Sequence, residues 1–104
     1  MLNKGIRIFP SILTADFAQL GEEITALENA GADGVHLDVM DGQFVEPISF
    51  GSLIVECVGQ ITKLPLEIHL MVKEPERYFS HLSMAGSSTI IVHLEACNLL
   101  DEVI

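Results

Sequence analysis

A chain of 104 residues suffices for one small domain and not for two, and its 49% hydrophobic content supports a buried core and excludes a disordered chain. Five Lys and Arg against 15 Asp and Glu give a formal net charge of −10, which excludes a nucleic-acid surface and leaves any anionic ligand dependent on local backbone amides or a metal. The apolar runs are short and broken by charge, and Pro10, Ser11 and Asp16 interrupt the stretch after Lys4 and Arg7, so neither a membrane span nor a signal peptide is expected and the cytoplasm is the expected compartment.

Short β-type runs alternate with segments of helical period. The first strand is predicted over Ile6–Ile12. A helix follows from Asp16 to Ala30, with Phe17, Leu20, Ile24 and Leu27 on one face, a capping box from Asp16 and Gln19, and Gly31 at its C-terminal stop. The second strand covers Gly34–Met40 and ends in the turn pair Asp41-Gly42; a loop then runs through Gly51. A second helix over about Ser52–Ile61 is expected to bury Ile54, Val55, Val58 and Ile61. Pro65 opens a third strand, Leu66–Val72, and Pro75 suits the first turn of a third helix ending near Ala85, with Gly86 behind it. The fourth strand is Thr89–Leu94, and a final helix begins near Ala96 or Cys97. Cys57 and Cys97 show no metal-type spacing and are expected to be ordinary buried thiols. The order is (βα)4, which implies a parallel sheet with helical crossovers.

Side chains of a strand alternate between two faces. Val35, Leu37 and Val39 therefore form one apolar face while His36, Asp38 and Met40 point the other way, and Leu66, Ile68, Leu70 and Val72 stand opposite Glu67, His69 and Met71 in the same manner. A histidine and a carboxylate are costly to bury unless paired or bound to a metal. His-Leu also recurs at 36, 69 and 93, each time near a strand end, so three histidines should gather on the edge where parallel βα folds place their chemistry. His93 and Glu95 look chemically similar to His36 and Asp38 but read as structural or supporting groups. Glu67 is either a partner of a ligand or a charge paired elsewhere. His81, Lys63, Lys73 and Arg77 read as solvated.

Pro10-Ser11-Ile12-Leu13-Thr14-Ala15-Asp16-Phe17, His36-Leu37-Asp38-Val39-Met40-Asp41-Gly42-Gln43-Phe44-Val45, Phe50-Gly51 and Ile68-His69-Leu70-Met71-Val72 occur in the order and spacing of one family. On these segments the sequence resembles the ribulose-phosphate 3-epimerase family, whose fold is the TIM-type (β/α)8 barrel. The resemblance implies that residues 1–104 are the N-terminal half of such a barrel, with only the first four βα units present, truncated in or after the fourth helix. It implies inversion at C3 of a ketopentose phosphate, interconverting D-ribulose 5-phosphate and D-xylulose 5-phosphate by proton abstraction through an enediolate. Carried over by position, His36, Asp38 and His69 look like ligands of one divalent metal ion. Asp38 is also one of two acid/base carboxylates. Ser11 and His69 look like substrate contacts, and Met40 and Met71 resemble the thioether lining beside the substrate. Imidazole and carboxylate ligands suit Zn, Fe, Mn or Co, and Asp38 can serve as ligand and base only if its second oxygen stays available.

Two departures from the family pattern stand out. After Phe44-Val45 the family usually shows Pro-Asn before its Thr/Ser-Phe-Gly, whereas here the run is Glu46-Pro47-Ile48-Ser49-Phe50-Gly51, with an added negative charge and a shifted proline. The partner aspartate, which is also the fourth ligand, and the phosphate-binding loops belong to units beyond the four predicted here. The isolated chain is therefore expected to turn over poorly, and an unclosed parallel sheet is expected to associate, so a homo-oligomer is possible. Two alternatives remain: a 3-epimerase of a ketohexose phosphate such as allulose 6-phosphate, which the altered loop permits, and a non-catalytic half-barrel that binds metal or a partner chain.

Overall fold

The alternation read in the two central strands sets the layering of the molecule. The computed structural model describes residues 5–82 and 88–97. In it β1 (Val35–Met40) and β2 (Leu66–Met71) are parallel neighbours, paired from Val35↔Leu66 through Met40↔Met71. β3 (Ser88–Ile91) adds in parallel to the other side of β2, giving the order β1-β2-β3.

Each of the two central strands buries every second residue. Val35, Leu37, Leu66, Ile68 and Leu70 pack into one cluster with Ile24 from α1 (Leu20–Asn29), Val55 and Val58 from α2 (Ser52–Ile61), and Leu82 from α3 (Phe79–Leu82). Complete burial of one such side chain contributes about 1.5–3 kcal/mol, so this face of the sheet holds the layers together. The opposite face carries His36, Asp38, Met40, Glu67, His69 and Met71, all half-buried. The hydrophobic pattern therefore fixes which way the polar groups point, since a one-residue register slip would bury them.

The segment predicted as the first strand lies along the free edge of β1 but forms a single parallel bridge, Ser11↔His36. The His36 amide donates to the Pro10 carbonyl at 2.9 Å and the Ile12 amide to the His36 carbonyl at 3.1 Å. The next rung toward the N-terminus needs an N–H on residue 10, which proline lacks. Nearer the start, Asp33 takes over the pairing: its carboxylate accepts from the Ile8 amide at 2.7 Å and its amide donates to the Ile8 carbonyl at 3.0 Å.

The predicted 16–30 helix is split into a 3-10 turn, Phe17–Gln19, and α1, with Gln19 off helical geometry at the joint. The Asp16 side chain caps the Ala18 amide as expected, but the reciprocal bond to the Asp16 amide comes from Glu23 rather than Gln19. Gly31 adopts φ 87° and closes the helix, with the Ala32 amide on the Leu27 carbonyl and the Gly31 amide on the Glu28 carbonyl.

α2 has the predicted bounds, yet Ile61 is 40% exposed and Thr62 takes the inward position, its hydroxyl bonded to Glu28. Cys57 is exposed, contrary to the reading as a buried thiol, because Val55 and Val58 turn the other side of α2 inward; Cys97 is partly buried. Pro75 does open the third helical segment, as a 3-10 turn Pro75–Tyr78 continued by α3, whereas the predicted end at Ala85 and Gly86 falls outside the described residues. β3 ends at Ile91 rather than Leu94, which lies in a 3-10 turn, Leu94–Ala96; Cys97 is extended, and the body of the predicted final helix, residues 98–104, lies outside the described residues. Among the described residues no helix is long and apolar enough to cross a membrane.

Candidate active site and metal centre

The register that pairs Asp38 with His69 and His36 with Glu67 brings the polar groups of β1 and β2 together on one face. The Asp38 carboxylate is the centre of the group. Its Oδ1 stands 3.1 Å from His36 Nε2 and 3.1 Å from His69 Nδ1, and its Oδ2 accepts a 2.6 Å hydrogen bond from the Ser11 hydroxyl. One ligand atom each from His36, Asp38 and His69 falls within 4.8 Å of the other two. Two imidazole nitrogens and a carboxylate oxygen converging in this way are a donor set that suits a first-row divalent ion, so the residues fit the metal that the sequence resemblance implies.

Burial on its own pushes the Asp38 carboxyl up. It is outweighed by the Ser11 hydroxyl bond, by the charge His36 carries when protonated, and by the His69 and His36 hydrogen bonds, which together hold the group below its ordinary range. Asp38 is thus ionised at neutral pH, the state needed by a ligand and by a base.

Behind these groups, His36 Nδ1 faces Glu67 Oε1 at 2.6 Å, which answers the question of what Glu67 pairs with. His69 Nε2 faces His93 Nε2 at 2.8 Å. The three His-Leu histidines do gather: the His36 and His69 rings are 5.5 Å apart and the His69 and His93 rings 5.0 Å. Glu95 and His81 are exposed, as are Lys63, Lys73 and Arg77. Met40 and Met71 are cross-strand partners beside the group, and Met40 also lines an apolar cleft with Leu13, Phe17, Phe50 and Ile54.

Two residues that the sequence did not single out as site-builders shape the loop after β1. Ser49 folds the loop back onto the strand: its amide donates to the Met40 carbonyl at 3.2 Å, its Oγ accepts from the Met40 amide at 2.9 Å, and its hydroxyl donates to the Asp38 carbonyl. The altered Glu46-Pro47 stretch sits outside this clasp and is exposed. Asp41 is the second. Its Oδ1 accepts from the Gln43 and Phe44 amides at 2.8 and 2.9 Å, and its Oδ2 from the Lys73 amide at 2.9 Å, joining the loops after β1 and β2. Burial pushes its carboxyl up, but the Lys73, Phe44 and Gln43 amide bonds together prevail and hold it below its usual range. The Asp-Gly pair was a legible turn signal. Gly42 is required by φ 73° and by Ile48, whose Cγ1 would lie 2.7 Å from an added Cβ.

A sequence model of the "Ribulose-phosphate 3 epimerase family" matches residues 7–104. The chain belongs to this family. Among its curated relatives, the ribulose-phosphate 3-epimerase of Bacillus subtilis (strain 168) is 52% identical over 99 residues, which cover 95% of this chain and 46% of that protein. The enzyme of the same name from Synechocystis sp. is 51% identical over 94 residues, 90% of this chain and 41% of the relative. The chloroplastic ribulose-5-phosphate-3-epimerase of Arabidopsis thaliana is 48% identical over 90 residues, 86% of this chain and 32% of the relative. The chain thus spans less than half the length of these relatives. The family fold is the TIM barrel, and the parallel sheet backed by helices seen here is a part of that α/β architecture.

Proposed function

We propose that this chain is the N-terminal, four-unit half of a barrel that epimerises a ketopentose phosphate at C3, interconverting D-ribulose 5-phosphate and D-xylulose 5-phosphate. The observation that carries the reading is the convergence of His36 Nε2, Asp38 Oδ1 and His69 Nδ1 in a chain of this family. These three residues would hold the divalent ion. Bound there, the ion supplies Lewis-acid stabilisation of the negative charge that builds on the substrate oxygens when C3 loses its proton.

The chain's own residues then divide the work. Asp38 Oδ1, which converges with the two histidine nitrogens, would be committed to the ion. Oδ2 is the oxygen left to take or return the C3 proton. It is not free, since Ser11 donates to it at 2.6 Å, but a carboxylate oxygen keeps a second lone pair, and the Ser11 bond orients it while favouring the ionised form. Ser11 and His69 border the substrate, and Met40 and Met71 offer it an apolar, polarisable wall. The opposing carboxylate and the phosphate-binding loops fall to units beyond these four, so the 104-residue chain is a poor catalyst alone. A coupled assay for xylulose 5-phosphate with added Mn²⁺, Zn²⁺ or Fe²⁺ tests this: little turnover is expected from the chain as it stands, and substantial turnover by a verified 104-residue species contradicts the division of labour.

The pentose sugar is preferred over a ketohexose phosphate because the Pro10–Phe17 segment looks more like the pentose enzyme and because the curated relatives carry the ribulose-phosphate name. A second reading, self-association in a homo-oligomer, draws support from Ile6 and Ile8 at the sheet's flank, 64% and 61% exposed. The acidic charge argues against nucleic-acid partners, and two free cysteines accord with the reducing cytoplasm.

A further inference from the structure

The two histidines of the proposed centre are backed by different chemistry. His36 turns Nδ1 to a carboxylate, Glu67 Oε1, at 2.6 Å, whereas His69 turns Nε2 to another imidazole, His93 Nε2, at 2.8 Å. His93 follows β3 and caps the turn Leu94–Ala96. Its ring plane is inclined by only 22° to that of His69 with the centroids 5.0 Å apart, so the two rings meet nitrogen to nitrogen rather than face to face. It also lies 5.2 Å from the Phe44 ring, on the loop that Asp41 fastens.

Two facing ring nitrogens at this distance share a single proton. A neutral His69 that offers Nδ1 to a metal carries its proton on Nε2, and His93 Nε2 is then the acceptor, with the His93 proton on Nδ1. We infer that His93 is a positioning residue: by accepting from His69 Nε2–H it holds His69 in the tautomer whose Nδ1 lone pair points to the metal, and through Phe44 it ties that orientation to the loop after β1. This inference rests on the metal centre proposed above and adds to its three ligands a participant that is not a ligand. Partners of this kind fix ring orientation, and losing one typically lowers metal affinity about 10–100-fold.

The test uses the 104-residue chain and Zn²⁺. Affinity is measured by chelator competition for the wild type, His93→Phe, which keeps a ring beside Phe44 but cannot accept, and His93→Gln, whose amide oxygen can. ¹⁵N NMR of the Zn²⁺-loaded wild type, which needs no variant, reads the through-hydrogen-bond coupling between His69 Nε2 and His93 Nε2. The coupling should be present with the proton on His69, His93→Phe should lose affinity about 10–100-fold, and His93→Gln should recover most of it. Absence of the coupling, or a His93→Phe variant that binds like the wild type, overturns the role of His93 and leaves the metal centre standing. A wild type that does not bind Zn²⁺ overturns both.

Discussion

The middle of the sheet and its flanks follow different rules. β1 and β2 are paired along their whole length, bury alternate side chains almost completely, and present their polar residues as one converging group. At the flanks the chain meets β1 through one bridge beside Pro10, and β3 leaves Ile90 37% exposed with Leu94 at 66%. The polar group is therefore a product of the register of two strands. His36, Asp38 and His69 are set by pairings that the core enforces, and the flanks contribute supporting groups, Ser11 from one side and His93 from the other.

Cutting into the middle should therefore cost far more than cutting into the flank. Leu37→Ala or Ile68→Ala, both at fully buried positions, should lower stability by about 2–5 kcal/mol, whereas Ile8→Ala should stay within about 0.5 kcal/mol. Urea midpoints of the three variants decide the matter, and equal losses would mean that the flank is packed as tightly as the centre.

The next largest effect concerns the loop clasp. Asp41→Ala removes the acceptor of three backbone amides and should cost about 0.5–1.5 kcal/mol, a modest figure for bonds near solvent. Hydrogen exchange at the Gln43, Phe44 and Lys73 amides should quicken first; unchanged exchange there would remove Asp41 from its role.

Asp38 and Asp41 also give the metal-free protein an acid limb. Both folded carboxyls are held below the ordinary value, so below the unfolded aspartate value of about 3.9 the unfolded chain binds more protons than the folded one. Their stabilisation is therefore present in full above that range and is lost as pH falls through the lowered folded values. Urea midpoints taken between neutral pH and pH 2 should decline at the acid end, with a shallower decline in Asp41→Asn. An acid limb unchanged by that substitution contradicts the assignment.

How much of this was legible in the sequence depends on whether the information is local. The alternation in Val35–Met40 and Leu66–Met71 specified two strands, their buried faces and the polar faces opposite. The 3.6-residue period and Gly51 bounded α2. By contrast, the break at Gln19 and the partnership of Asp16 with Glu23 rather than Gln19 depend on how the first turn docks, and the period alone does not carry that. Pro10 was visible, but its effect on the ladder needed the knowledge that residue 10 must donate. Glu67 and His93 could be named as candidates, while their partners required the register, because residues 31 and 24 positions apart meet only once β1, β2 and β3 are aligned. The burial expected of Cys57 failed because apolar neighbours in sequence do not say which side of a helix faces the core.

Cys57 gives the smallest effect. Being exposed, its thiol should react rapidly with a disulfide reagent in the native state, and Cys57→Ser should shift stability by no more than about 0.5 kcal/mol. Slow reaction would restore the buried reading and move α2 relative to the sheet.

We propose that the pairing of β1 with β2 builds a metal centre from His36, Asp38 and His69. Calorimetric titration of the metal-free wild type and of Asp38→Ala with Zn²⁺ tests it most directly, with the imidazole NMR signals followed through the titration. The wild type should bind about one ion per chain, moving the His36 and His69 signals together, and Asp38→Ala should lose that binding. A wild type that binds no Zn²⁺, or a variant that binds it equally well, would contradict the account.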